Sequence, residues 1–149
     1  MSYWDTACLI KLYADETDSS IFRRCLQERD EAATTGDFAR LEFLTTLWRM
    51  EADGAIAEGF AEKTIRVFDR KVEDNSFRLI ACDIQVREEF ERVVRRCYSQ
   101  DPPVLVRTLD ALHVASAIVS GETEIVATDK RMRDAATLLG FQLFPTPTP

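Results

Sequence analysis

The segment Leu109–Val119, LDALHVASAIV, constrains the fold more than any other stretch of the chain. It reads as a largely buried helix that carries a single acid, Asp110. At helical spacing the Asp110 face is shared by Val106, Val114 and Ala117, with His113 beside it. A carboxylate in such company loses hydration and must be offset by a partner, a metal ion or a bound proton. The ordinary partner is Arg107, one turn earlier, in a buried salt bridge.

Short β-compatible runs alternate with helical patterns around this segment. Ser2–Asp5 reads as a strand and Thr6–Tyr13 as a helix; Ser19 or Ser20 caps a helix running to about Arg29. Ala32–Thr35 is the next strand. Gly36-Asp37 then opens an amphipathic helix on Phe38, Leu41, Leu44, Leu47 and Trp48, and Asp53-Gly54 stops it. Phe60, Ile65, Phe68 and Val72 mark another helix. Phe77–Cys82 is a strand, and Asp83 caps the helix that follows. Pro102 and Pro103 make a linker before the Asp110 helix, which ends at Gly121. Glu124–Thr128 is a strand, Lys130–Leu139 a helix and Phe141–Phe144 a final strand. This alternation predicts an α/β protein, a three-layer α/β/α domain with a central parallel sheet. The expected domain spans 1–145, with 146–149 a frayed tail.

At 149 residues, 46% hydrophobic and 30% charged, the chain has the composition of a globular protein and fits one domain. The start, MSYWDTACLI, lacks the features of a signal peptide, and no apolar stretch is long enough to span a membrane. A cytoplasmic protein is expected. Cys8, Cys25, Cys82 and Cys97 lie far apart, with one histidine in the chain, so free thiols are expected in place of a zinc site or disulfides. The net charge of −7 speaks against a protein that wraps nucleic acid by bulk electrostatics.

Three further acids occupy positions that matter. Asp5 and Asp129 each end a predicted strand and precede a helix, which puts them at the carboxyl edge of a parallel sheet, where ligands gather. Glu42 lies one turn after Phe38, near the apolar border of its helix. Each has an ordinary explanation, capping for the two aspartates and helix propensity for Glu42. Jointly, Asp5, Glu42, Asp110 and Asp129 could converge on one pocket. Convergent carboxylates need a cation, and Mg²⁺ or Mn²⁺ suits an all-oxygen site. Such a metal can activate water and neutralise a phosphodiester that acidic groups alone would repel.

The stretches YWDTACLIKLY, ARLEFLTTLWR, RTLDALHVASA and EIVATDKRMRDAATLLGF resemble, in that order, the motifs of PIN-domain ribonucleases, most closely the VapC-type toxins of bacterial toxin–antitoxin systems. The similarity runs from about Tyr3 to Pro145. It implies the three-layer fold, with Asp5 and Asp110 as principal metal ligands and Glu42 and Asp129 completing the site. It implies endonucleolytic cleavage of RNA leaving a 5′-phosphate and a 3′-hydroxyl, a homodimer, and inhibition by a cognate antitoxin. Two hydroxyl positions of the family pattern are alanine here, Ala7 and Ala127, with Thr6 and Thr128 standing beside them. These changes bear on ligand positioning and leave the carboxylates intact.

Expected substrate contacts are Lys11, Arg40, Arg107, Lys130 and Arg131, each near an acidic motif, together with Thr6 and Thr128. Single-stranded or looped RNA is the expected substrate. His113 is expected to be a packed core residue, as are Trp48, Phe60, Phe68 and Phe77. The long helices at Phe38–Trp48 and Phe60–Val72 offer a groove for an antitoxin helix. The competing reading is a PIN-like module that binds RNA or protein with weak or no turnover. A phosphohydrolase using Asp5 as nucleophile is disfavoured, because Ala7 cannot serve as its acid.

Overall fold

The computed structural model describes residues 2–29 and 31–146. In chain order the elements are β1 (Ser2–Trp4), α1 (Thr6–Ile10), α2 (Ser19–Arg29), β2 (Ala33–Gly36), α3 (Ala39–Ala52), α4 (Phe60–Glu73), β3 (Phe77–Ile80), α5 (Ile84–Tyr98), α6 (Thr108–Ser120), β4 (Glu124–Val126), α7 (Lys130–Leu138) and β5 (Gln142–Phe144). The strands form one sheet in the order β3-β2-β1-β4-β5, and every pairing is parallel. Parallel neighbours require crossovers, and each is made through helices, so both faces of the sheet are covered. The predicted three-layer α/β/α architecture is the one observed.

Alternation along the strands assigns side chains to the two layers. Trp4 and Val126 join a core with Leu9, Phe22, Phe43, Leu47 and Phe68, beneath α1 to α4. Tyr3 and Ile125 face the other way, among Val86, Val93, Val114, Met132 and Ala135 from α5, α6 and α7. Phe68 is fully buried between Phe43 and Phe77, with ring centroids 4.9 Å and 5.4 Å away, so it ties α3, α4 and β3 together. Phe68→Ala is expected to cost about 3–5 kcal/mol of stability in urea unfolding.

Helix ends follow local chemistry. Asp83 caps α5 as expected, accepting from the Gln85 and Val86 N–H groups at 2.9 Å and 3.2 Å. Ser19 is not a cap: it is the first residue of α2, and its Oγ closes the preceding loop, donating to the Ala14 carbonyl and accepting from the Glu16 N–H. Helix α1 is shorter than predicted and ends at Ile10, with Lys11 and the residues after it in turns. The strand expected to reach Cys82 ends at Ile80, and that expected to reach Thr128 ends at Val126. Trp48 is 46% exposed and is not a core residue, whereas Phe68 and Phe77 are buried and Phe60 is half-buried against the α1–α4 core. The four cysteines are free thiols. Among the described residues no helix is long and apolar enough to cross a membrane. Most of the predicted tail, residues 147–149, lies outside the described residues.

Candidate active site

Strands β1 and β4 are neighbours, and the chain leaves both in the same direction. Asp5 follows β1 and Asp129 is the N-cap of α7 just beyond β4, so both stand at the carboxyl edge of the sheet. Glu42 lies in the first turn of α3 and Asp110 in the first turn of α6. All four line one cleft of about 650 Å³, together with Thr6, Ala7, Arg107, His113 and Thr128. Three long helices, α3, α6 and α7, thus begin beside the cleft. Their dipoles favour negative charge there, whether carboxylate or phosphate.

The four acids are held in three different ways. Asp110 accepts the Arg107 backbone N–H at 3.0 Å and the Arg107 guanidinium at 2.9 Å and 3.1 Å. Burial pushes its carboxyl up, but the bonds from Arg107, its charge and that of Arg131 outweigh burial and hold it below the ordinary carboxylate range. Arg107 also reaches Asp129 Oδ2 at 2.9 Å, while Asp129 Oδ1 caps α7 through the Arg131 N–H at 2.9 Å. The salt bridge anticipated between Arg107 and Asp110 is therefore present, and it extends to Asp129.

On the other side of the cleft, Glu42 Oε2 accepts from Thr6 Oγ1 at 2.7 Å and lies 2.7 Å from His113 Nε2. Burial raises the Glu42 carboxyl, and the His113 and Thr6 hydrogen bonds overcome it, leaving the group below its ordinary value. Asp5 differs from the other three. Its side chain makes no capping bond to α1, and its Oδ1 is 3.6 Å from His113 Nε2. Burial dominates and lifts its carboxyl above the ordinary range, opposed by His113 and reinforced by the neighbouring Glu42. The Thr6 and Ala7 backbone N–H groups at the start of α1 do not offset the burial of Asp5.

The donor set is chemically right for a hard divalent cation: carboxylate oxygens on one cleft, one of them destabilised by its own burial. Arg107 and His113 stand between the acids in the present arrangement, and no three of the His, Cys, Asp and Glu side chains among the described residues close round a single point. Arg107 has 58% of its side chain exposed, so it can swing clear of Asp110 and Asp129. Asp5, Glu42, Asp110 and Asp129 fit such an ion once it does.

Of the basic residues singled out from sequence, Arg107 and Lys11 line the cleft. Lys11 is nearly buried and bonded at 2.6 Å to both Glu16 and Asp18. Arg40, Lys130 and Arg131 are not among the lining residues; Arg40 is paired with Asp69 and Lys130 with Asp134. Arg40→Ala is expected to leave RNA affinity unchanged and to cost less than about 1 kcal/mol, because the pair is well exposed. The lining residues missed from sequence include Glu16, Thr46, Arg49 and Thr108. Arg49 follows Glu42 by seven positions and Thr46 by three, so all three share one face of α3, a spacing visible in the sequence. His113 sits between Asp5 and Glu42 and is fully buried, as expected, yet it belongs to the site as well as the core. Ala127 packs into the α5–α7 core, so its lack of a hydroxyl does not touch the cleft; Thr128 lines the cleft instead.

Fold and cleft together define an α/β/α protein with an acidic pocket at the carboxyl edge of a parallel sheet. The model of the PIN domain matches residues 2–138, and the chain belongs to the PIN-domain family. PIN domains are nuclease-type domains that generally depend on divalent metal and bind RNA. A search of curated proteins finds no relative of the chain.

Proposed function

We propose that the protein is a Mg²⁺- or Mn²⁺-dependent endoribonuclease of the cytoplasm and the toxin of a VapBC-type toxin–antitoxin pair, acting as a homodimer held in check by a cognate antitoxin. One observation carries the nuclease reading: four carboxylates from four separate elements line a single cleft in a nuclease-type fold. The toxin assignment rests on the sequence motifs around those acids.

Asp5 and Asp110 would be the principal ligands of the cation, with Glu42 and Asp129 completing the set. The bound ion would supply neutralisation of the phosphate and a lowered pKa for water. The protein's own groups do the rest. Thr6 orients Glu42, the starts of α3, α6 and α7 favour the phosphate's charge, and Arg107, Arg49 and Thr128 border the path of the RNA backbone. The net reaction adds water to phosphorus and breaks the bond to the 3′-oxygen.

The test is cleavage of single-stranded and looped RNAs in Mn²⁺, repeated in EDTA and with the double variant Asp5→Asn, Asp110→Asn. Discrete products in Mn²⁺ alone, lost in EDTA and in the variant, are expected. Equal cleavage by the wild type and the variant would assign the activity to a contaminant. The alternative, a PIN module with weak turnover that binds RNA or protein, draws on Ala7, which lines the cleft where a hydroxyl is usual. It predicts RNA binding without products. Antitoxin pairing is checked by co-expression with the neighbouring gene product, where a stable complex that silences cleavage is expected.

A further inference from the structure

Behind the cleft, a buried chain of hydrogen bonds runs from the sheet to Glu42, and the proposed reaction does not use it. The Tyr3 hydroxyl accepts the Gly36 backbone N–H at 2.9 Å and lies 2.9 Å from His113 Nδ1. The other ring nitrogen, Nε2, lies 2.7 Å from Glu42 Oε2. A carboxylate can only accept, so Nε2 carries the proton. In a neutral imidazole Nδ1 is then an acceptor, and the Tyr3 proton is the one it receives. Burial pushes the Tyr3 hydroxyl far up, which keeps it a donor. The ring cannot easily turn: Phe38 meets it edge-on at 4.7 Å and Tyr3 at 5.8 Å, and it is 2% exposed. Thr6 Oγ1 donates to the same carboxylate oxygen as Nε2 does. Both donors engage Oε2, so Oε1 is the oxygen left to meet a ligand in the cleft.

We infer that His113, locked by Tyr3 in its Nε2–H tautomer, is a positioning residue that pins one oxygen of Glu42 and so presents the other to the cation. The consequence for the cation rests on the nuclease reading; the tautomer and the pinning do not.

One experiment separates the two. The chain has a single histidine, so one pair of ring nitrogen resonances reports the tautomer without assignment. In ¹⁵N-labelled wild-type protein the Nε2–H form is expected, moving toward the tautomer average in Tyr3→Phe. Manganese binding by calorimetry then reads the pinning. His113→Leu is expected to weaken Mn²⁺ affinity about 10- to 100-fold, the usual scale for a group that holds a ligand in place. His113→Gln, whose amide can still donate to Oε2, is expected to recover most of the loss. Thr6→Val removes the second donor without touching the imidazole and is expected to weaken binding several-fold. An Nδ1–H signal in the wild type overturns the inference, as does wild-type Mn²⁺ affinity in folded Thr6→Val and His113→Leu. A wild type that shows the Nε2–H signal but binds no Mn²⁺ overturns the nuclease reading, and with it the role given to Oε1.

Discussion

Asp5→Asn is expected to abolish Mn²⁺-dependent RNA cleavage while leaving the metal-free protein more stable than the wild type. The two effects have one cause. Asp5 is 9% exposed, and burial outweighs every favourable contact, so the ionised carboxylate is held at a cost that the neutral amide does not incur. The Thr6 and Ala7 backbone N–H groups favour the carboxylate less than burial disfavours it, and the side-chain oxygen of Asn can still accept from them. Removing a proposed principal ligand should reduce cleavage by more than about 100-fold, beyond the loss typical of groups that merely support a ligand. The sign of the pH effect follows from the direction of the shift. A carboxyl raised in the folded state favours folding while protonated, and that contribution is lost as pH rises through its folded pKa. Thermal melts in EDTA should therefore show the variant's advantage opening as pH climbs above the ordinary aspartate range and closing in acid. An Asp5→Asn protein that melts below the wild type at neutral pH would mean that the carboxylate is structural.

Arg107→Ala is expected to tighten Mn²⁺ binding several-fold, up to about tenfold, because a unit positive charge is removed from beside two of the four acids. Arg107 now does the neutralising that a cation would do. In EDTA the variant should melt below the wild type, since Asp110, with 8% of its side chain exposed, loses the guanidinium that offsets its burial. Saturating Mn²⁺ should narrow that gap, since an ion that binds only the folded protein stabilises it by mass action. Calorimetry on the two proteins decides the matter, and equal affinities would show that Arg107 and the ion do not compete.

The acids were legible because each sits at a punctuation mark of the fold. Asp5 and Asp129 stand between a strand and the helix that follows, Asp110 is the one acid of an apolar helix, and Glu42 follows a helix start, so period and turn chemistry marked each position, while their joint role came from the family resemblance. The misplaced residues failed for specific reasons. Helix α3 carries Leu41, Phe43, Leu44, Leu47 and Trp48, too many apolar residues to face one way; Leu41 and Trp48, seven apart, are left 63% and 46% exposed. The same helix misled about its cations, since Arg40 precedes Glu42 by two positions and points elsewhere, whereas Arg49 shares its face. The burial of His113 was legible from its apolar helix, but its place in the site was not. Its partners, Tyr3 at 110 positions' distance and Glu42 at 71, arrive only through tertiary packing.

The insertion of β4 beside β1 has a consequence for the protein's birth. The Asp5 backbone N–H is bonded to the Val126 carbonyl, so the two halves of the cleft are joined by strands made early and late in translation. A ribosome that has produced Asp5, Glu42 and even Asp110 still carries an unfinished pocket, because the edge that brings Asp129 alongside has yet to emerge. Whatever chemistry the cleft performs on RNA is thus withheld from the message and ribosome engaged in making it until that strand has docked.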